Sequence, residues 1–269
     1  MNIGGRFIGV LVTCVPFMVF AVIWQICALI VGPNRCPDIG QTLIVFGDSF
    51  WHEPITEAQG GGANGLSTHL VSTVASFFAG LTSGSFTGFV AALSMSQYKA
   101  LTLLLEPVLE FFRALPPLIV IPFAILLCRS NDTLECFTVG IYSAFSICLY
   151  TLSAVKNIAP SYTHLAKLLG AGRIRTVFDV QIPAIMPELL GASRVTAALS
   201  LGIAVVVEYL AAPAGIGRVM KFAISYSRID LIMVSVIWVI IIAVAVDCII
   251  SMILGFLLKW SRREQARTS

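Results

Sequence analysis

The chain has 269 residues, of which 58% are hydrophobic and 12% charged, with a formal net charge of +3 and a mean hydropathy of +0.93. Soluble domains carry roughly 25% charged residues, so this chain lacks the polar surface to coat a globule in water. An ordinary soluble domain is excluded, and so is a nucleic-acid binder, because no basic run interleaved with aromatic residues precedes the C-terminus.

A bilayer core of about 30 Å requires about 20 apolar residues per helix. Six segments meet that requirement, at approximately 7–31, 68–93, 107–128, 134–155, 186–212 and 230–258. The first follows the single charge Arg6. It is longer than a signal-peptide core and no small-residue cleavage site follows it cleanly, so it reads as a retained span. Residues 32–67 then read as a long polar loop, with Pro33, Pro37, Pro54 and the run Gly60-Gly61-Gly62. That glycine run lacks the Lys-Ser/Thr of a phosphate cradle.

The second span carries Gly80, Gly84 and Gly88 one turn apart, a ridge that lets two helix backbones approach closely. It reads as packing within one subunit, with a dimer seam as the alternative. The third span holds Pro116, Pro117 and Pro122, which predicts one bent crossing, since neighbours in the membrane re-satisfy the freed carbonyls. On the same span Glu106, Glu110 and Arg113 fall at helical spacing, so they can pair on one face. Arg113 is a candidate either for an ion pair with Glu110 or for the lining of a path.

Intramembrane charges are costly and face a bundle interior or a water-filled path. Glu188 and Arg194 lie early in the fifth span and Glu208 late in it; Asp247 lies within the sixth. Glu208, just before Gly215-Ile216-Gly217 in the loop 213–229, is a gate candidate, with a helix–helix hydrogen bond as the alternative. Asp247 reads as structural. The seven cysteines form no CxxC pair and His52, His69 and His164 are scattered, so no metal site is expected. A Cys128–Cys136 bridge is left open.

Lys and Arg set orientation. With the N-terminus inside, the inner segments hold ten of them and the outer loops five. Both termini are therefore expected in the cytoplasm, and the 32–67 loop outside. The expected divisions are 1–64, the first span and external loop; 65–260, the transmembrane domain; and 261–269, a cytoplasmic tail.

The connector at about 156–185 is the most informative segment. Pro160 and Ser161 predict a helix start. From there Leu165, Leu168 and Leu169 share one face, with His164 and Lys167 toward another, before a break at Gly170 and Gly172. A second stretch with Ile174, Val177 and Phe178 runs to Ile182-Pro183. An apolar stripe between spans either lies on the membrane surface or docks into a partner.

The stretch HLAKLLGAGRIRTVFDVQIPAIMP, residues 164–187, resembles the signature loop of bacterial ABC-importer permeases. Ala166, Gly170, Pro183 and Pro187 match that pattern, while His164 and Leu165 stand where its Glu and first Ala would be. Glu110-Phe111-Phe112-Arg113-Ala114-Leu115-Pro116-Pro117 and Glu208-Tyr209-Leu210-Ala211-Ala212 with Gly215-Ile216-Gly217 resemble segments of the taurine/sulfonate/nitrate subgroup. The likeness runs collinearly over about residues 65–260.

The resemblance implies an all-α membrane protein of about six helices, with the type I ABC importer permease fold and a cytoplasmic coupling helix. It implies a bacterial inner-membrane location, two ATPase subunits, a periplasmic or lipoprotein solute-binding protein and a second permease copy, taken here as identical. His164, Leu165, Ala166, Lys167, Leu168, Leu169, Gly170 and Arg173 are the expected ATPase contacts. The chain has no G-x-x-x-x-G-K-S/T, so ATP and Mg are expected on a partner, no cofactor on this chain, and no catalysis by it. The implied solute is small: taurine, another sulfonate, nitrate or bicarbonate, with pyrimidine vitamin precursors for some relatives. An ATP-independent transporter or channel, and a membrane-embedded enzyme, are the competing readings; the first needs inverted repeats and the second a catalytic constellation, and neither is evident.

Overall fold

The computed structural model describes residues 3–33, 35–58, 65–128 and 131–257. The Gly60–Gly62 run, Arg129 and the 261–269 tail lie outside the described residues. Every regular element described is helical. In chain order these are α1 (Ile3–Val31), α2 (Ile39–Trp51), α3 (Pro54–Ala58), α4 (Gly65–Ser96), α5 (Lys99–Ala114), α6 (Pro117–Leu127), α7 (Asn131–Lys156), α8 (Pro160–Leu168), α9 (Arg173–Thr176), α10 (Ile182–Leu210), α11 (Ile216–Ser225) and α12 (Ile229–Leu257).

Among the described residues, four helical stretches are long and apolar enough to cross a bilayer alone: Gly65–Ser96, Thr133–Lys156, Arg173–Leu210 and Ile229–Ile253. The α5–α6 pair, turned by 104° at its break, makes a fifth if counted as one crossing. The described apolar stretch of α1, Val15–Val31, is shorter and is exposed along most of its length.

The glycine ridge packs within the chain. A Cβ on Gly80 would stand 2.7 Å from the Cys136 carbonyl oxygen, one on Gly84 2.8 Å from the Gly140 carbonyl carbon, and one on Gly88 2.9 Å from Ala144 Cα. Glycine is therefore required three times along the α4–α7 contact. The contacts also fix direction, because each step of four on α4 is matched by a similar step forward on α7. The two helices run parallel. Parallel spans need an odd number of crossings between them, so α5 and α6 together return the chain once.

The break between α5 and α6 falls at Leu115-Pro116, both extended. Pro116 excludes helical geometry for the residue before it, and Pro117 opens α6 at its first turn, where its missing N–H costs nothing. Cys128 and Cys136 are both free thiols, so the bridge left open by the sequence is not formed.

Two stretches expected as loops are helices. Within 32–67, Asp38 accepts the Gln41 N–H at 2.7 Å and caps α2. Phe46 of that helix stacks on Trp238 of α12 at 4.7 Å between ring centroids. Within 213–229, α11 packs Val219 and Ala223 against Leu66, Leu231 and Val234. Tertiary burial of a few apolar residues outweighs the polar composition of both segments. At that end of the bundle Arg228 bonds Asp230 at 2.8 Å and Glu53 at 3.5 Å.

Candidate functional site

Pro160 occupies the first turn of α8, where proline is pre-organised for a helix start. The helix stops in a tight cap: Gly170 N–H donates to the Lys167 carbonyl at 3.0 Å and Ala171 N–H to the Ala166 carbonyl at 2.9 Å. This closure places the residue after the cap in the left-handed region, and Gly170 has φ +78. Nothing lies within 4 Å of a Cβ built there, so the glycine serves the turn and not a close approach.

The stripe on α8 is open. Leu165 is 56% exposed, Leu168 84% and Leu169 78%. Ile174 and Phe178, across the turn, are also exposed. Ala166, expected on the same open face, points inward instead, 7% exposed, and seats the helix on the body of the chain. His164 and Lys167 are exposed.

The far side of the connector is anchored. A single π turn, Val177–Gln181, joins α9 to α10 without a break, a distortion frequent at functional positions. Gln97 at the end of α4 donates to Gln181 at 3.1 Å, and the Arg173 guanidinium lies 5.8 Å from the Tyr98 ring centroid. Arg173 is thus held by the α4–α5 turn, beside a groove of about 1060 Å³ that includes Gln97, Tyr98, Ile174 and Phe178. The connector thus touches the end of α4 and the α4–α5 turn and runs on into α10.

The charges of α5 do not pair with one another. Glu106 binds Lys156 of α7 at 2.5 Å, and Arg113 lies over the Tyr150 ring at 5.5 Å. Among the described residues no ion pair joins Glu110 to Arg113, because α7 supplies partners for Glu106 and Arg113 across the packed pair. Arg113 itself is exposed.

Glu208 sits at the opposite end of the bundle, 1% exposed, in a clamp on the start of α11. The first N–H groups of a helix have no partner within it. Here three consecutive ones are satisfied from other elements: Gly215 N–H by His69 Nδ1 at 3.0 Å, Ile216 N–H by Thr73 Oγ1 at 3.0 Å and Gly217 N–H by Glu208 Oε2 at 2.9 Å. Accepting at Nδ1 places the proton of the neutral His69 ring on Nε2. Both glycines are needed for space. A Cβ on Gly215, where φ is +107, would stand 2.7 Å from Glu208 Oε2 and closer to the rest of the carboxyl group; one on Gly217 would stand 2.7 Å from Tyr209 N.

His69 and Thr73 were not singled out as a pair from sequence, although their spacing of four on an apolar span puts both on one helical face. The partnership of Arg194 with Asp247, two bonds of 2.5 and 2.6 Å, had no local signal at all.

The family described as binding-protein-dependent transport system inner membrane component matches residues 84–263. The nitrate import permease protein NrtB of Synechococcus elongatus is 26% identical over 209 residues, 77% of this chain and 73% of its own. The bicarbonate transport system permease protein CmpB of the same species is 23% identical over 261 residues, 95% of this chain and 91% of its own. A solved chain of the MetNI methionine ABC transporter in an inward-facing conformation superposes with a TM-score of 0.53 at 19% identity, covering 71% of this chain and 91% of that one, a likeness of fold.

Proposed function

The chain belongs to the family of binding-protein-dependent transport system inner membrane components, and we propose that it carries a small oxyanion inward using ATP hydrolysed by a separate subunit docked on α8. It is a multi-pass permease subunit of an ABC transporter. The nitrate and bicarbonate relatives support an oxyanion as solute, with sulfonates such as taurine in the same chemical class.

The observation that carries the coupling role is the open leucine stripe. A leucine held 84% exposed on a short connector outside the spans loses the roughly 1.5–3 kcal/mol that its burial would contribute. A partner cleft recovers it. Leu165, Leu168 and Leu169 form the contact, flanked by His164 and Lys167, and Gly170 sets the angle to Arg173. Both termini and this connector face the cytoplasm, and Glu208, buried at the outer end of α10, is part of a gate. ATP and Mg are held by the partner, solute is delivered by an external binding protein, and a second copy of the chain encloses the path.

Arg113 is a path candidate, exposed at the broken span. Residues 1–64 add a span and an outer cap to the transmembrane domain 65–260, with 261–269 as a cytoplasmic tail. The test is ATPase stimulation in the reconstituted complex, with and without the binding protein, across nitrate, bicarbonate and taurine. Stimulation by at least one oxyanion, only with the binding protein present, is expected. ATPase activity indifferent to all three would refute the solute class.

A further inference from the structure

Arg194 of α10 and Asp247 of α12 form a two-bond ion pair, Nε to Oδ1 at 2.5 Å and Nη2 to Oδ2 at 2.6 Å. At the helical rise per residue, Arg194 lies about 18 Å along α10 from Ile182 and Asp247 about 15 Å along α12 from Leu257. Both lie within stretches long and apolar enough to cross a bilayer, Arg173–Leu210 and Ile229–Ile253. Yet their side chains are 47% and 45% exposed in the single chain. Lipid tails do not solvate such a pair, so this face meets water or protein.

Small residues lie on the same helical faces as the pair. On α10, Gly191 and Ala198 sit about one turn before and after Arg194, and a Cβ built on Gly191 has nothing within 4 Å. On α12, Ser251 and Gly255 follow Asp247 at steps of four, and Gly255 is likewise open. Farther from the pair α12 presents Ile240 and Ile241. The small residues leave room beside the ion pair, while Val195 and Leu199 on α10 and Val244 and Met252 on α12, exposed and apolar, lie within about five residues of it.

Taking the permease reading as given, we infer that the Arg194–Asp247 pair lines a water-filled passage and is a transit site for a small oxyanion, which replaces the Asp247 carboxylate on the Arg194 guanidinium. The arginine fork matches two oxygens of one planar group, and the carboxylate occupying it has the same two-oxygen edge as nitrate or bicarbonate. Asp247 also keeps the site from holding its guest tightly. The anion must displace a resident carboxylate, so binding is weak and release is fast, as conduction requires.

The test uses the full chain carrying Gly191→Cys, in permeabilised membranes, treated with a charged, membrane-impermeant methanethiosulfonate. Label at residue 191 is read by peptide mass spectrometry, with and without nitrate, and Leu168→Cys serves as an accessible control outside the spans. Residue 191 is expected to react, and nitrate to slow that reaction severalfold. In Arg194→Met/Asp247→Leu, which removes the pair as a unit, nitrate protection is expected to vanish while residue 191 still reacts. A residue 191 that stays unlabelled while residue 168 reacts overturns the inference, as does labelling that nitrate leaves unchanged in the chain with its pair intact. Neither result bears on α8 docking, which is read separately by crosslinking to the ATPase.

Discussion

Gly215→Ala tests the clamp on α11 most sharply when combined with Glu208→Ala. Gly215 has φ +107 and ψ 164, a region essentially reserved for glycine, where another residue costs about 1–3 kcal/mol. The new Cβ would also stand 2.7 Å or less from the Glu208 carboxyl group, driving it off the Gly217 N–H. A buried donor left unpaired costs a further ~1–3 kcal/mol. The single change should therefore destabilise the chain by about 2–6 kcal/mol in total. Glu208→Ala alone loses the same hydrogen bond but removes the obstacle. In the double variant the bond is lost only once and the overlap is relieved, so Glu208→Ala adds almost nothing to Gly215→Ala, whose backbone cost at φ +107 remains. The coupling is expected at ~1–3 kcal/mol below additivity, read by thermal unfolding of the purified chain in detergent. Strict additivity, or a Gly215→Ala chain that melts with wild type, would refute the clamp.

Gly84→Val should force α4 and α7 apart and lower the melting temperature markedly, since the new side chain meets the Gly140 backbone; unchanged melting would argue against the packed ridge. Gly170→Ala, at φ +78 with open space around it, should cost only about 1–2 kcal/mol from the left-handed backbone, again by thermal unfolding. Gly170→Pro should leave membrane insertion intact, by fractionation, and abolish solute uptake. Glu106→Gln should change stability by no more than about 1 kcal/mol, because its partner Lys156 is half exposed and such pairs contribute little.

The apolar spans were legible because run length alone marks them, and the glycine ridge because three small residues one turn apart have few other uses. The prolines at 116 and 117 marked the break in the third span, but the 104° turn depends on how α6 packs on α7. Helix α2 was hidden by Gln41, Thr42, Gly47, Asp48 and Ser49, which dilute a period carried by Val45, Phe46 and Phe50. Helix α11 was hidden because Gly215 and Gly217 read as loop, whereas they are the space into which Glu208 reaches. Charge partners were the least legible. Glu106–Lys156 and Arg194–Asp247 join residues about fifty positions apart, and only the packing of helices decides such pairs. On the connector, the leucine stripe and the Gly170 turn followed from spacing; the inward face of Ala166 needed the body of the chain.

The proposed coupling role requires an ATP-hydrolysing subunit docked on α8. A photo-crosslinking amino acid at Leu168, in the chain co-expressed with its ATPase, measures that contact directly. An adduct between the two chains is expected, and it is lost when the probe is moved to the buried Ala166 position. An α8 probe that reaches only lipid, or only reagents confined to the outer side of the membrane, would overturn the docking.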